Sequence, residues 1–372
     1  MSSELAVEHI ETLCIRVPLG RIYRGSNYHM THRSTVICRV HCAGGLVGEA
    51  YVGDEDSNLI DIEKTILTEI FPKVSGLDVR SVERCWERSR SVTADILRDR
   101  RIGLVASAAV DAAIWDAIGK YHEEPLWRLW GGFVNQLPMI AIGGYYDSGI
   151  TIEKEYEDLR QLGVAGVKFK VGGLTPVEDA KRVKEMRKVA GDEFILAVDA
   201  NQAWLPHEAV EFCKLTEDLG LLWFEEPCRW SNDRKALRDV RAISGIPICA
   251  GQSELSASGC RDLMEEGSVD FCNFDSSWSG GPTEWRRVAS IAQTYDVRMA
   301  HHEEPQIASH LLASIPHGTY VECFHPDRDP IWWNLIANRP ELENGNLALS
   351  DRPGFGWELD LDFIEKHRVI QD

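Results

Sequence analysis

The 372-residue chain is short of positive charge: 40 lysines and arginines stand against 59 aspartates and glutamates, a net charge of −19. That deficit repels nucleic acid and anionic membrane surfaces at long range, so neither is an expected partner. A small anionic ligand is not excluded, because its capture depends on local charge in a cleft. The opening stretch MSSELAVEHIETLC lacks the basic start and apolar run of a secretory signal and carries Glu4, Glu8 and Glu11 instead. The most apolar helix-like stretch, GLVASAAVDAAIWDAIGK, is interrupted by Asp111 and Asp116, so an uninterrupted span of ~20 apolar residues is missing. The ten cysteines include no CxxC pair and are assigned no chemistry; they read as small buried apolar residues of a reducing cytosol. A soluble, cytoplasmic protein is expected.

What is present is a change of texture near residue 133. Before it, HIETLCIRVPLG, RSTVICRVHCAG and GLVGEAYVG predict an antiparallel meander, with the polar RIYRGSNYHMTHRS between two of its strands as a mobile loop. Helical patterns follow from about 60 to 130, closing at Gly131 and Gly132. After it, eight short apolar strands alternate with amphipathic helices: PMIAIGGYY, GVKFKVG, FILAVDAN, LLWFEEP, IPICAGQSE, VDFCNFDSS, VRMAHHEEP and TYVECF. Such alternation predicts an α/β (β/α)8 barrel of the TIM type. The expected division is an α+β capping domain over 1–132, the barrel over 133–325, and an irregular tail over 326–372 packing back on the cap.

Barrel enzymes carry their reacting groups at the C-terminal ends of the strands. Seven successive strands here end in groups able to do chemistry: Lys170, Asp199, Glu225, Gln252 with Glu254, Asp275, His302 and Glu322, spaced 20 to 29 residues apart, the length of one β/α unit. Any one of them reads equally well as a solvated loop residue; seven in step with the strand ends do not. Asp199 and Glu225 on adjacent strands call for a hard cation such as Mg²⁺. The third ligand stays open between Gln252, which offers an amide oxygen, and Glu254. Lys168, two residues before Lys170 and on the same face, is expected to hold an anionic substrate group and to lower the pKa of Lys170, which then acts as a base. Asp275 beside His302 would fix the imidazole's tautomer and raise its basicity. His301 is the alternative, but strand alternation sends it outward. Glu322, if protonated, can donate to charge developing on the substrate.

These residues, together with DAAIWDAIGK, the Lys168-x-Lys170 pair, DAN at 199–201, EEP at 225–227, SGG after Asp275, and ASHLLA after His302, resemble the mandelate racemase/muconate lactonizing enzyme family of the enolase superfamily, in its mandelate racemase-like subgroup. The resemblance covers nearly the whole chain. It implies the barrel with a capping domain completed by the tail, and removal of the proton next to a carboxylate to give an enediolate held by one Mg²⁺. It casts Lys170 and the His302/Asp275 dyad as bases, Glu322 as hydrogen-bond donor and Asn201 as a polar substrate contact. The departure is Gln252, where the family usually has an acidic ligand.

Three outcomes fit that first step: racemisation, loss of a β-hydroxyl, or ring opening and closing. The stretch between the first two strands offers many donors, Arg21, Tyr23, Arg24, Asn27, Tyr28, His29, His32 and Arg33, with Tyr23 and Arg24 taken as substrate contacts. Such a lid suits a polyhydroxy acid better than an aromatic one, although a solvated surface loop would have the same composition. Dehydration of an aldonate or aldarate to its 2-keto-3-deoxy product is therefore expected, in a homo-oligomer. A racemase or epimerase on the same site is the main alternative, and a barrel that binds without turnover, motivated by Gln252, is the other.

Overall fold

β-Branched and small residues alternating over the first fifty positions form β1 (Val7–Arg24), β2 (His29–Cys42) and β3 (Val47–Tyr51), an antiparallel sheet in that order. The computed structural model describes residues 3–53 and 58–369. RIYRGSNYHMTHRS is not the long loop expected: after an irregularity between Pro18 and Tyr23, pairing resumes at Tyr23↔Met30 and Arg24↔His29, leaving only residues 25–28 to turn. Its composition is polar, but its period of two is intact, with Tyr23 buried between exposed Ile22 and Arg24. A one-face-exposed antiparallel strand tolerates that pattern.

The helices that follow surround the 22-residue helix Arg100–Tyr121, long and apolar enough to cross a membrane yet buried almost throughout. The two acids that interrupt its apolar run are joints. Asp111 accepts hydrogen bonds from Thr283 N (2.9 Å) and Thr283 Oγ1 (2.8 Å), at the start of the helix Gly281–Thr294. Asp116 accepts from Glu49 N and Phe355 N, both at 2.8 Å, and pairs with Lys120 Nζ at 2.7 Å, so it ties β3 to the tail. Buried carboxylates keep their charge affordable only with such donors.

All eight barrel strands form where expected: β4 (Gln136–Gly143), β5 (Gly166–Lys170), β6 (Ile195–Asp199), β7 (Phe224–Glu225), β8 (Ile248–Ala250), β9 (Phe271–Cys272), β10 (Arg298–Met299) and β11 (Val321–Phe324). They pair in parallel from β4 through β10, and β11 returns to β4 through Val321↔Met139 to Phe324↔Ile142, with Met299 bridging Gly318 at the seam. All ten cysteines are buried and free. The tail is less irregular than expected. β12 (Leu342–Glu343) and β13 (Asn346–Ala348) make a hairpin that adds antiparallel to Gln136–Pro138, the part of β4 lying before its pairing with β5 and β11 begins. That stretch of β4 would otherwise present an open edge. The tail also reaches the cap, where Val369 N donates to Cys14 O at 2.8 Å.

Candidate active site

Register builds the site. Lys170 lies opposite Asp199 in the β5–β6 ladder, and Asp199 opposite Glu225 in β6–β7, so three charged side chains leave neighbouring strand ends on one side. Lys170 Nζ is 2.6 Å from Asp199 Oδ2 and 3.0 Å from Asn201 Oδ1. Lys168 Nζ sits 2.8 Å from Glu225 Oε1, 2.7 Å from Glu322 Oε1 and 4.0 Å from Asp199 Oδ2. Two lysines can share one strand face inside the barrel because three buried carboxylates face them.

Electrostatics follow from these contacts. Burial works against the charge of both lysines, but Glu225, Glu322 and Asp199 hold Lys168 above its ordinary value, and Asp199 holds Lys170 well above it. The expectation that Lys168 depresses Lys170 is thereby corrected: a carboxylate in direct contact outweighs the like charge nearby. Burial raises Asp199, yet Lys170 and Lys168 bring it below the usual range. Burial, with Asp199 and Glu322 as neighbours, pushes Glu225 up to about 8 against the pull of Lys168.

Gln252 and Glu254 part company. Gln252 Nε2 donates to Glu226 Oε2 at 2.7 Å, while its Oε1 is buried without a hydrogen-bond partner. Glu226 is fixed in turn by Ser253 Oγ at 2.6 Å. Glu254 is not beside Gln252: its Oε1 pairs with Arg234 at 2.8 Å, so the alternative ligand assignment is withdrawn. β8 ends at Ala250 and Gly251 takes φ +142, so strand alternation no longer aims the side chains beyond it. Among the described residues no three His, Cys, Asp or Glu side chains are grouped to hold a metal ion. The donors available are mixed: the carboxylates of Asp199 and Glu225 with the amide oxygen of Gln252.

On the other flank His302 Nδ1 lies 3.0 Å from Asp275 Oδ2, and Nε2 lies 3.3 Å from Glu303 Oε1. Asp275 Oδ1 accepts from Ser277 N (2.8 Å) and Ser277 Oγ (2.7 Å), which fixes the carboxylate. Burial opposes protonation of His302, but Glu303 and Asp275 push it up to about 10. His301 turns away as alternation requires, holding Ser276 and the His302 carbonyl. Glu322 Oε2 accepts from Glu303 N at 3.0 Å.

The cap closes this mouth through the tip of the β1–β2 hairpin. Ser26 Oγ donates to Ala200 O at 2.9 Å, Asn27 Nδ2 to Asn201 O at 3.1 Å, and the Tyr28 ring lies 5.5 Å from Lys170 Nζ. The two contacts expected from this hairpin are corrected. Tyr23 is buried edge-on against Tyr145, with ring centroids 5.1 Å apart, and Arg24 points to solvent beside Asp147. Sequence reasoning also passed over Glu226, Glu303, Tyr145 and Trp278. The doublets Glu225–Glu226 and Glu303–Glu304 were the available signal for the first two. Tyr145 and Trp278 follow strand ends, where the barrel rule could have flagged them.

Residues 151–363 match the enolase C-terminal domain-like family, and residues 14–131 match the mandelate racemase/muconate lactonizing enzyme N-terminal domain. The chain belongs to the mandelate racemase/muconate lactonizing enzyme family of the enolase superfamily. A family member from a marine actinobacterium, crystallised in complex with magnesium, is 55% identical, with 98% of this chain and 100% of that one covered and a TM-score of 0.94. Arabinonate dehydratase of Saccharolobus solfataricus is 26% identical over 345 residues, 90% of each chain. The 3,6-anhydro-alpha-L-galactonate cycloisomerase of Streptomyces coelicolor is 28% identical over 376 residues, covering 98% of this chain and 99% of that one. In this chain Lys168, Lys170, Asp199, Glu225, Asp275, His302 and Glu322 gather around one mouth.

Proposed function

We propose that the chain is a Mg²⁺-dependent hydro-lyase that removes water from an aldonate or aldarate to give the 2-keto-3-deoxy acid. The observation that carries the substrate class is a set of buried polar atoms without hydrogen-bond partners beside the reacting groups: Tyr145 Oη and Trp278 Nε1. The charges of Lys170 and Glu303 act on Tyr145, and the Trp278 ring lies 4.6 Å from that of His302. A buried hydroxyl or indole N–H left unpaired costs ~1–3 kcal/mol, which a hydroxyl-rich substrate recovers and an aromatic one does not.

The residues fit a hard divalent cation. Asp199 and Glu225 supply charge, and Gln252 Oε1 is a buried oxygen with nothing else to bind. When bound, Mg²⁺ supplies positive charge against the negative charge that develops on the substrate carboxylate. Lys168 holds that carboxylate's end of the substrate. Lys170, as the free amine, takes the α-proton; Asp199, its counterion at 2.6 Å, is also one of the residues that would hold the cation, and a carboxylate so engaged would hold the ammonium form of Lys170 less strongly. Glu322 lies against Lys168 and donates a hydrogen bond to the same developing charge when protonated. His302, charged between two carboxylates, protonates the departing 3-hydroxyl; Asn201 orients the substrate beside Lys170.

Incubation with a panel of aldonic and aldaric acids and Mg²⁺ should yield a 2-keto acid in a carbonyl assay. α-Proton exchange in D₂O without any loss of water would overturn dehydration in favour of racemisation, which the two proton-handling groups, Lys170 on β5 and His302 after β10, would also serve. Glu226 provides a separate check on the metal assignment. Glu226→Ala frees the Gln252 amide to rotate, and by calorimetry Mg²⁺ should bind ~10–100-fold more weakly. Unchanged affinity would remove Gln252 from the ligand set.

A further inference from the structure

The sequence HHEEP contributes a second acidic residue to the mouth that no family role accounts for here. Glu303 takes φ +50, in the left-handed region that is uncommon for a residue with a side chain, and so does Glu304. That turn splits the pair. Glu304 faces Arg33 NH2 at 2.7 Å, and Glu303 lies across His302 with Oε1 3.3 Å from Nε2 and Oε2 3.3 Å from Arg33 NH1. Arg33 is itself anchored by Asp329 Oδ1 at 3.2 Å, so the far end of Glu303 is fixed to a guanidinium that cannot follow it away. Its backbone N–H is fixed on Glu322 at 3.0 Å.

We propose that Glu303 is a positioning residue for His302, its carboxylate facing the Nε2–H of the imidazolium while Asp275 faces the Nδ1–H, so that the ring keeps both protons and stores the one that the reaction delivers to the leaving hydroxyl. The inference rests on the dehydratase reading and names the device that loads its acid. With a carboxylate at each ring nitrogen, neutral imidazole would have to present a lone pair to an anion, whereas imidazolium satisfies both. On arrival of substrate, the 3-hydroxyl replaces Glu303 at Nε2 and the carboxylate retains Arg33. The Nε2–H bond then breaks, the C3–O pair leaves with oxygen, and that oxygen takes the proton as water. The electrons of the Cα–H bond become the new C=C, Lys170, entering as the free amine, keeps the α-proton, and the resulting enol gives its hydroxyl proton to solvent and takes one at C3 to become the 2-keto acid, so charge and atoms balance.

Other charged groups near His302 do not substitute for Glu303. On its own segment His301 is bound to Ser276, and Glu304 is paired with Arg33. From β9 comes Asp275, from β11 Glu322, which is turned to Lys168, and from the segment after β11 Arg328, whose charge acts on Glu303.

The test is an NMR titration of ring-labelled histidine in the full chain, with the His302 signal assigned by its loss in His302→Asn. In the wild type His302 should remain imidazolium from pH 6 to 9. In Glu303→Gln it should titrate about one to three pH units lower, and the basic limb of kcat/KM should fall with it; Glu303→Asp should lie between. Should Glu303→Gln fail to fold, Glu303→Asn replaces it, since Asn is at ease in the left-handed region. An unchanged His302 titration in a folded variant overturns the inference, whatever the activity. A shifted titration in a protein that dehydrates no sugar acid overturns the function reading and leaves the Glu303 assignment standing.

Discussion

Lys170→Met and His302→Asn should both abolish turnover, by ~10²–10⁴-fold or more, and should differ completely in deuterium oxide. Lys170 is the group nearest the α-carbon in the proposed arrangement, so Lys170→Met loses α-proton exchange together with water loss. His302 acts only on the departing hydroxyl, so His302→Asn stops 2-keto acid formation while the substrate still exchanges its α-proton. The separation rests on ring position: Lys170 ends β5 and His302 follows β10, with β11 and β4 between them. Each residue sits in its own buried ion pair, at 2.6 Å for Lys170–Asp199 and 3.0 Å for His302–Asp275. Circular dichroism and a thermal melt confirm that each variant is folded before its exchange is read. Exchange surviving in Lys170→Met would assign the base to another group, and loss of exchange in His302→Asn would make His302 the base and reverse the proposed roles.

The features legible in the sequence were those set by strand alternation and by the length of one β/α unit. One reacting group per strand end gave Lys170, Asp199, Glu225 and Glu322, because within a strand the period of two fixes the face and the ladder fixes the neighbour; Asp275 and His302 stand three residues beyond β9 and β10, where the length of one β/α unit located them. His302 was separated from His301 by extending that alternation past Met299, and the contacts of the two rings agree with it. Alternation fails where a positive φ interrupts the extended backbone. Glu226 takes φ +38 after β7, Gly251 φ +142 after β8 and Glu303 φ +50 after β10, so each side chain is aimed by a turn that the sequence does not spell out. That is why Glu254 was weighed equally with Gln252, and why Glu226 and Glu303 were passed over. The hairpin over the mouth failed differently. Polar composition suggested a loop, but one buried face, Tyr23 against Tyr145, is enough to extend a strand pair. The direction of the Lys170 shift required the Asp199 contact, a fact of register between β5 and β6 that two residues 29 positions apart do not announce.

Lys168→Met should be the most destabilising single change at the mouth, costing ~3–5 kcal/mol in urea unfolding without metal. Lys168 is fully buried and is the cation between Glu225 and Glu322, at 2.8 and 2.7 Å; methionine fills much the same volume but leaves two buried carboxylates facing each other. The pH dependence follows from which groups titrate. The folded-state pKa of Lys168 is raised, so its contribution is fully present below the ordinary lysine value and is lost only as pH rises through the still higher folded one; across pH 5–8 it adds no slope. The carboxylates do add one. Glu225 is already pushed up to about 8, and losing its cation raises it further, so the folded variant holds protons that the unfolded chain has released above the usual glutamate value. Stability therefore falls with rising pH through that window, but the wild type shares that slope until pH reaches about 8, where its Glu225 releases its proton, so the deficit of the variant should be smaller at pH 5 than at pH 9. Adding Glu322→Gln removes the second uncompensated carboxylate and should return part of the loss, since residues in one ion-pair network couple by ~0.5–3 kcal/mol. Equal stability of Lys168→Met and wild type at both pH values would mean that the carboxylates are neutral in the native barrel, and Lys168 would then not be the counterion that holds them.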